Sequence, residues 1–252
     1  MIRPARGHSL AVQGGNYPLR LLILVVACGV LLLSALQTST GQTQGDRPKL
    51  VRIHGGTFTM GSGLKAEENP IRSVTLAPFA IGKYPVTNSQ FRQFVSSAGY
   101  NAGNEWKQWA SQYGEQVPVV SVSWDDANAY CRWAGLRLPT EEEWEFAARG
   151  TDGRIYPWGS QWDPSRCCNN HPSGPVAVGI FPSGASPFKC MDMEGSVFQW
   201  TSSYGNNKAE RVIRGSAYNS GPAKFRTTYR GRANAAERFL IIGFRVAATR
   251  SN

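Results

Sequence analysis

The stretch "LRLPTEEEWEFAARG", Leu136 to Gly150, reads as a single helix with both of its ends marked. It begins at a Pro139–Thr140 cap. Three glutamates follow in the first turn, where the helix dipole favours negative charge. Trp144, Ala147 and Ala148 form an apolar side, and Gly150 closes it.

Two more helices are legible upstream. "SWDDANAYCRWAG" (Ser123–Gly135) sets Ala127, Tyr130, Cys131 and Ala134 on one face and ends at Gly135. "TNSQFRQFVSSAGY" (Thr87–Tyr100) has Thr87 or Asn88 as cap and Phe91, Phe94 and Val95 on one side. Strand signals surround these helices. "KLVRIHGGTFTMGS" (Lys49–Ser62) reads as a hairpin-like pair, and "IRSVTLAPFAIGKYPVT" (Ile71–Thr87) as an edge strand and its neighbour. "VFQWTSS", "ERVIRGS" and "IIGFRVAA" read as the last strands. Between Pro157 and Met191 turn residues dominate, and so long a loop is expected to be functional or held by ions or bridges. Trp124, Trp133, Trp144, Trp158 and Trp200 are expected to organise a core with little regular structure. No internal repeat and no second domain is visible.

The 252 residues suit one large domain or two small ones, and their abundant Gly, Pro and Trp point to a loop-rich globule. Residues 1–41 stand apart. Arg3, Arg6 and Arg20 are their only charges, and Leu21–Leu36 is an apolar run of 16 followed by small polar residues. This is the form of an export signal or, as second reading, a membrane anchor. Val25–Cys28 has the form of a lipobox, against which the continuing apolar run argues. Residues 42–49 read as a linker and 50–248 as the domain. The chain is thus expected to be exported: periplasmic, secreted or anchored through residues 21–36. In an oxidising compartment Cys131, Cys167, Cys168 and Cys190 allow three pairings. Bridges from Cys167 or Cys168 to Cys131 or Cys190 are favoured over a strained bond between neighbours. No CxxC spacing suggests zinc.

The net charge of +10 is concentrated late in the chain. Gly205–Asn252 carries ten Lys or Arg against two Glu. Such a surplus either forms a face for an anionic ligand or lies in internal ion pairs.

Eight motifs occur in order: "GGTFTMGS", "PVTNSQFRQF", "PVVSVSWDDANAYCRWAG", the helix quoted first, "YPWG", "MDMEGSVFQWTSS", "RVIRGSA" and "IGFRVA". Together they resemble the formylglycine-generating enzyme, or sulfatase-modifying factor, family from about Leu50 to Ala247. The resemblance implies a single α+β domain of the C-type lectin-like kind, with short irregular sheets, two to three helices and much loop.

It also implies chemistry that these residues do not support. The family's enzymes hold copper(I) with a late pair of cysteines and convert a substrate cysteine to formylglycine. Here no cysteine follows Cys190, and Asn219, Ser220, Ala223 and Lys224 stand in that region. None is the soft donor that copper(I) prefers. An iron site of three histidines, known in the wider family, has no counterpart, since only His8, His54 and His171 occur. Neither copper nor iron is therefore expected. A family calcium site resembles "DMEGSVFQW" and implies ligands at Asp192, Gly195, Val197 and Gln199, with Gln199 where the family has Glu.

The segment from Arg214 onward also resembles the variable proteins of diversity-generating retroelements, whose variable residues precede a terminal "IGFR". On that resemblance a ligand face is expected from Tyr218, Asn219, Ser220, Lys224, Tyr229, Arg230, Arg232, Asn234, Glu237, Phe239, Leu240 and Ile241. Tyrosine among small and polar residues suits an adaptable binding face. The expected partner is a protein, a glycan or another anionic ligand. Nucleic acid is not specifically indicated, and membrane contact is expected only through the N-terminal segment. The alternative is an oxidoreductase or maturation enzyme of the family acting on a protein or secreted metabolite. Glu237, Tyr218, Tyr229 and the arginines would then be its acid, base and charge-stabilising groups.

Overall fold

Each of the three expected helices starts at a hydroxyl that caps it. A computed structural model describes residues 46–249; the expected export segment and the first part of the expected linker lie outside the described residues. Helix α1 (Asn88–Ala98) is capped by Thr87, α3 (Trp124–Trp133) by Ser123 and α4 (Glu141–Arg149) by Thr140. All three carry a reciprocal capping box, with Gln90, Asp126 and Glu143 returning a bond to the cap backbone. A fourth helix, α2 (Glu105–Tyr113), was not expected. Its Asn104 cap makes no side-chain bond, so the usual start signal is missing. The apolar spacing Trp106–Trp109–Ala110–Tyr113 was its one readable mark.

Among the described residues nine short strands form three sheets. β1 (Leu50–Ile53) pairs antiparallel with β4 (Phe79–Gly82), and β4 with β9 (Ala247–Thr249). β2 (Gly56–Met60) pairs with β3 (Arg72–Leu76). The expected β1–β2 hairpin is therefore corrected to two nested pairs. Gly55 and Gly56 both have positive φ and turn the chain from one sheet into the other. The third sheet runs β7 (Arg230–Asn234), β6 (Glu210–Arg214), β5 (Phe198–Tyr204), β8 (Ile242–Phe244). Its β5–β8 pair is parallel, which the long connection between them permits. β7 was not expected; its residues RGRAN include none that is β-branched or aromatic, and it lies at the sheet edge.

Two apolar clusters result. One gathers Phe91, Phe94, Trp106, Tyr130, Trp200 and Phe244 between α1, α2, α3 and the third sheet. The other gathers Ile53, Phe58, Phe79, Ile81, Trp144 and Phe146 beneath α4. Trp144 and Trp200 are core as expected, whereas Trp133 is 40% exposed and Trp158 only half-buried. The favoured disulfides are also corrected. Cys131, Cys167, Cys168 and Cys190 are all buried free thiols. Cys131 belongs to the first cluster and Cys190 to the second, so the two lie in different cores. Burial pushes Cys167 up to about 12 and Cys168 up to about 11. The long loop is held by backbone bonds such as Val178 to Gln116 and Met191 to Lys83, at 2.9 and 2.8 Å.

Candidate functional site

After β6 the chain turns at Gly215, whose φ is +80°. A Cβ there would lie 2.7 Å from the Met193 carbonyl and 3.2 Å from Trp144, so glycine is required. Ser216 follows, fully buried, donating to Glu194 Oε2 at 2.7 Å and accepting from Gly195 N at 2.8 Å. Burial holds the Glu194 carboxyl well above its ordinary range, against the Ser216 hydrogen bond, which lowers it. Beyond Ala217 the segment comes to the surface. Asn219 and Gly221 to Lys224 are exposed, with Pro222–Lys224 as one 3-10 turn.

The expected ligand face divides into separate surroundings. Lys224 and Tyr229 come together: Lys224 Nζ lies 5.8 Å from the rings of both Phe198 and Tyr229, and those rings are 6.0 Å apart. Ile241 joins them through its carbonyl, which accepts from Phe198 N at 2.8 Å. Tyr218 turns toward His171 and Tyr113; its carbonyl accepts from His171 N at 3.1 Å. Burial first, then Tyr218, raises the Tyr113 hydroxyl. Ser220 accepts from Ala217 N at 3.0 Å. Phe239 and Ile241 are half-buried against the first core cluster, and Leu240 alone of the three is exposed. Asn234 caps its own turn at Ala236 N, and Glu237 is exposed.

The basic surplus is largely internal. Arg214 pairs with Glu145, Arg226 with Glu68, Arg230 with Glu141 and Arg238 with Asp126. Arg232 lies 3.9 Å from Glu210, and Arg211 stacks between the Trp124 and Tyr204 rings. Arg230 and Arg232 thus serve ion pairs and do not converge with Tyr218.

The region of the family's copper pair offers Asn219, Ser220, Ala223 and a lysine ammonium, a hard and partly cationic set that does not fit copper(I). His54 and His171 are both exposed. The calcium positions likewise do not fit the ion. The Arg245 guanidinium, with no exposed surface, donates to Gln199 Oε1 at 2.5 Å and to the Met191 and Asp192 carbonyls at 2.9 Å each. Gln199 Oε1 also accepts from Trp144 Nε1 at 2.8 Å, and Gln199 Nε2 donates to the Asp192 carbonyl. Asp192 Oδ2 accepts from Gly179 N at 2.7 Å, while burial pushes its carboxyl up to about 6. A protein-borne cation thus takes Gln199 Oε1 and the Asp192 carbonyl, two of the oxygens that a calcium ion would need among its six to eight.

Sequence reading missed a second site, a cavity of about 200 Å³ lined by Glu68, Arg72, Glu141, Glu145, Arg214 and Arg230, with Asn69 and Thr228 beside them. Its signal was Glu145, a charge set between Trp144 and Phe146 on a helix buried on nearly every side.

A family profile described as a sulfatase-modifying factor enzyme 1-like domain matches residues 36–250. The inactive C-alpha-formylglycine-generating enzyme 2 of Mus musculus is 35% identical over 245 aligned residues, covering 74% of this chain and 79% of the relative. The solved structure of PvdO from Pseudomonas aeruginosa gives a TM-score of 0.70 at 25% identity, covering 80% of this chain and 94% of that one. Treponema denticola variable protein 1 gives 0.65 at 17% identity, covering 79% and 94%, a likeness of fold alone.

Proposed function

The chain belongs to the sulfatase-modifying factor, or formylglycine-generating enzyme, family, and from that premise we propose that it is a binding member of the family, displaying a ligand or protein site between Tyr218 and Ile241. One observation carries this reading. The late segment holds no thiolate, and its exposed turn instead carries Lys224 beside the rings of Tyr229 and Phe198. A cation over aromatic faces, next to exposed small residues, suits recognition of an anionic or aromatic group. On this reading the protein is exported through residues 1–41, and its partner is a protein, a glycan or another anionic ligand. The relative called inactive supports the loss of the copper reaction, without bearing on what is bound. A retroelement-diversified face is a narrower form of the proposal. A near-copy of the DNA encoding residues 214–245 beside the gene would support it.

A second reading, an enzyme acting on a protein or secreted metabolite by other groups, draws on the charged cavity of Glu68, Glu145 and Arg214. The two readings separate in one experiment. The intact chain is given oxygen, a thiol reductant and a cysteine-bearing sulfatase peptide, and in parallel is screened on glycan and protein arrays. A variant with Tyr218, Lys224 and Tyr229 all changed to Ala serves as control. The binding reading expects no oxygen uptake and an array signal that the variant loses. Turnover to formylglycine, or a signal the variant keeps, overturns it.

A further inference from the structure

We propose that the cavity between the Glu68 loop, the start of α4 and the β6–β7 edge is a binding site for a compact oxyanion, a carboxylate or a phosphate. This inference is independent of the ligand face. It follows from which hydrogen-bonding groups remain open. Each of the three carboxylates on the wall already accepts from an arginine. Glu68 accepts from Arg226, Ser62 and Thr228. Glu141 accepts from Arg230 Nε at 2.7 Å and Nη2 at 3.3 Å. Glu145 accepts from Gly61 N at 2.8 Å, from Arg149 at 2.9 Å and from Arg214. Of the roughly four acceptor sites on each carboxylate, Glu68 uses all, Glu145 three and Glu141 two, so most of the wall's acceptor capacity is spent.

The guanidinium groups are in the opposite state. Each offers five N–H donors in a planar fork. Arg72 uses one nitrogen, Nη2, on Glu142 at 2.7 Å, and its side chain is 43% exposed at the rim. Arg230 binds Glu141 through Nε and Nη2, which leaves Nη1. Arg214 lies at the base, 1% exposed, and its Nε is buried with no partner among the described residues. A buried donor left unmade is costly, and an acceptor entering the cavity would relieve that cost. Three cations with open donors around one small space make a bidentate oxyanion the matching ligand. The volume of about 200 Å³ lies below the roughly 300–1,000 Å³ of drug-sized sites, which sets the ligand class as small.

The test uses the intact chain, with thermal unfolding followed against sodium phosphate and sodium succinate at constant ionic strength set with sodium chloride. The expected result is a saturable rise in melting temperature with at least one of the two anions. Phosphate alone would identify a phosphate-bearing ligand, and succinate alone a carboxylate. In Arg72→Gln the half-saturating concentration is expected to rise about tenfold, the loss of one charge-assisted contact. The anion-free melting temperature of that rim variant should stay unchanged. Arg230→Lys, which keeps a charge beside Glu141, is expected to weaken the response as well. No saturable rise with either anion, or a response unchanged in both variants, would show that the arginines serve only the ion-pair network and would overturn the proposal.

Discussion

Glu68 sits on the loop between β2 and β3 with its carboxylate wholly covered, yet its pKa is lowered. Burial works against the charge. Hydrogen bonds from Arg226, Ser62 and Thr228, together with the Arg226 charge, outweigh it. A carboxyl whose folded pKa lies below its ordinary 4.5 stabilises the fold above that value and loses the contribution as pH falls through the lower one. The unfolding free energy is therefore expected to drop as pH goes from about 5 toward 3. Glu68→Gln should flatten that slope in urea titrations across the same window; parallel curves would contradict the assignment. The three glutamates after Thr140 show what single residues conceal. In sequence they are equivalent dipole partners. In the fold Glu141 binds Arg230, Glu142 binds Arg72 and Glu143 binds Arg137. Arg72, Arg214 and Arg230 come to this helix from distant segments, so no local spacing announced the cavity that they line.

Helix α4 was readable because its start is chemically explicit. Thr140 accepts from Glu143 N at 3.2 Å, and Glu143 Oε2 accepts from Thr140 N at 2.9 Å. Thr140→Ala is expected to cost about 1 kcal/mol in chemical denaturation. Asn104→Ala, at the start of α2, should stay within about 0.5 kcal/mol, because that cap makes no side-chain bond. Equal losses at the two positions would mean that capping is not what separates the legible helices from the missed one. The strands were less legible. β1 and β2 alternate well enough to be seen, but alternation says nothing about partner. Their pairing with β4 and β3 was decided by the turn at Gly55–Gly56 and by which cluster each strand covers.

Across the molecule, the late basic charge organises the interior. Arg214, Arg226, Arg230 and Arg238 each reach an acidic residue at least 69 positions earlier, and Arg245 fills an oxygen cluster built by Met191, Asp192 and Gln199. Because that guanidinium already supplies the positive charge, stripping divalent metal with a chelator is expected to leave the melting temperature unchanged. A fall of several degrees that calcium restores would show that the ion binds despite Arg245. By itself the sequence determined the family, the mixed α+β class, three helices and the Thr140 cap of the last, most of the strands and the absence of late thiolates. These are matters of local chemistry and of motif order along the chain. Only the tertiary structure decided which strands pair, that the four cysteines are buried free thiols with Cys131 and Cys190 in different cores, that Arg230 and Arg232 are engaged by acidic partners away from Tyr218, and that six charged residues enclose a cavity. Each of these depends on groups far apart in the chain meeting in space, and on charges whose cost of burial is met only by a partner the chain brings from elsewhere.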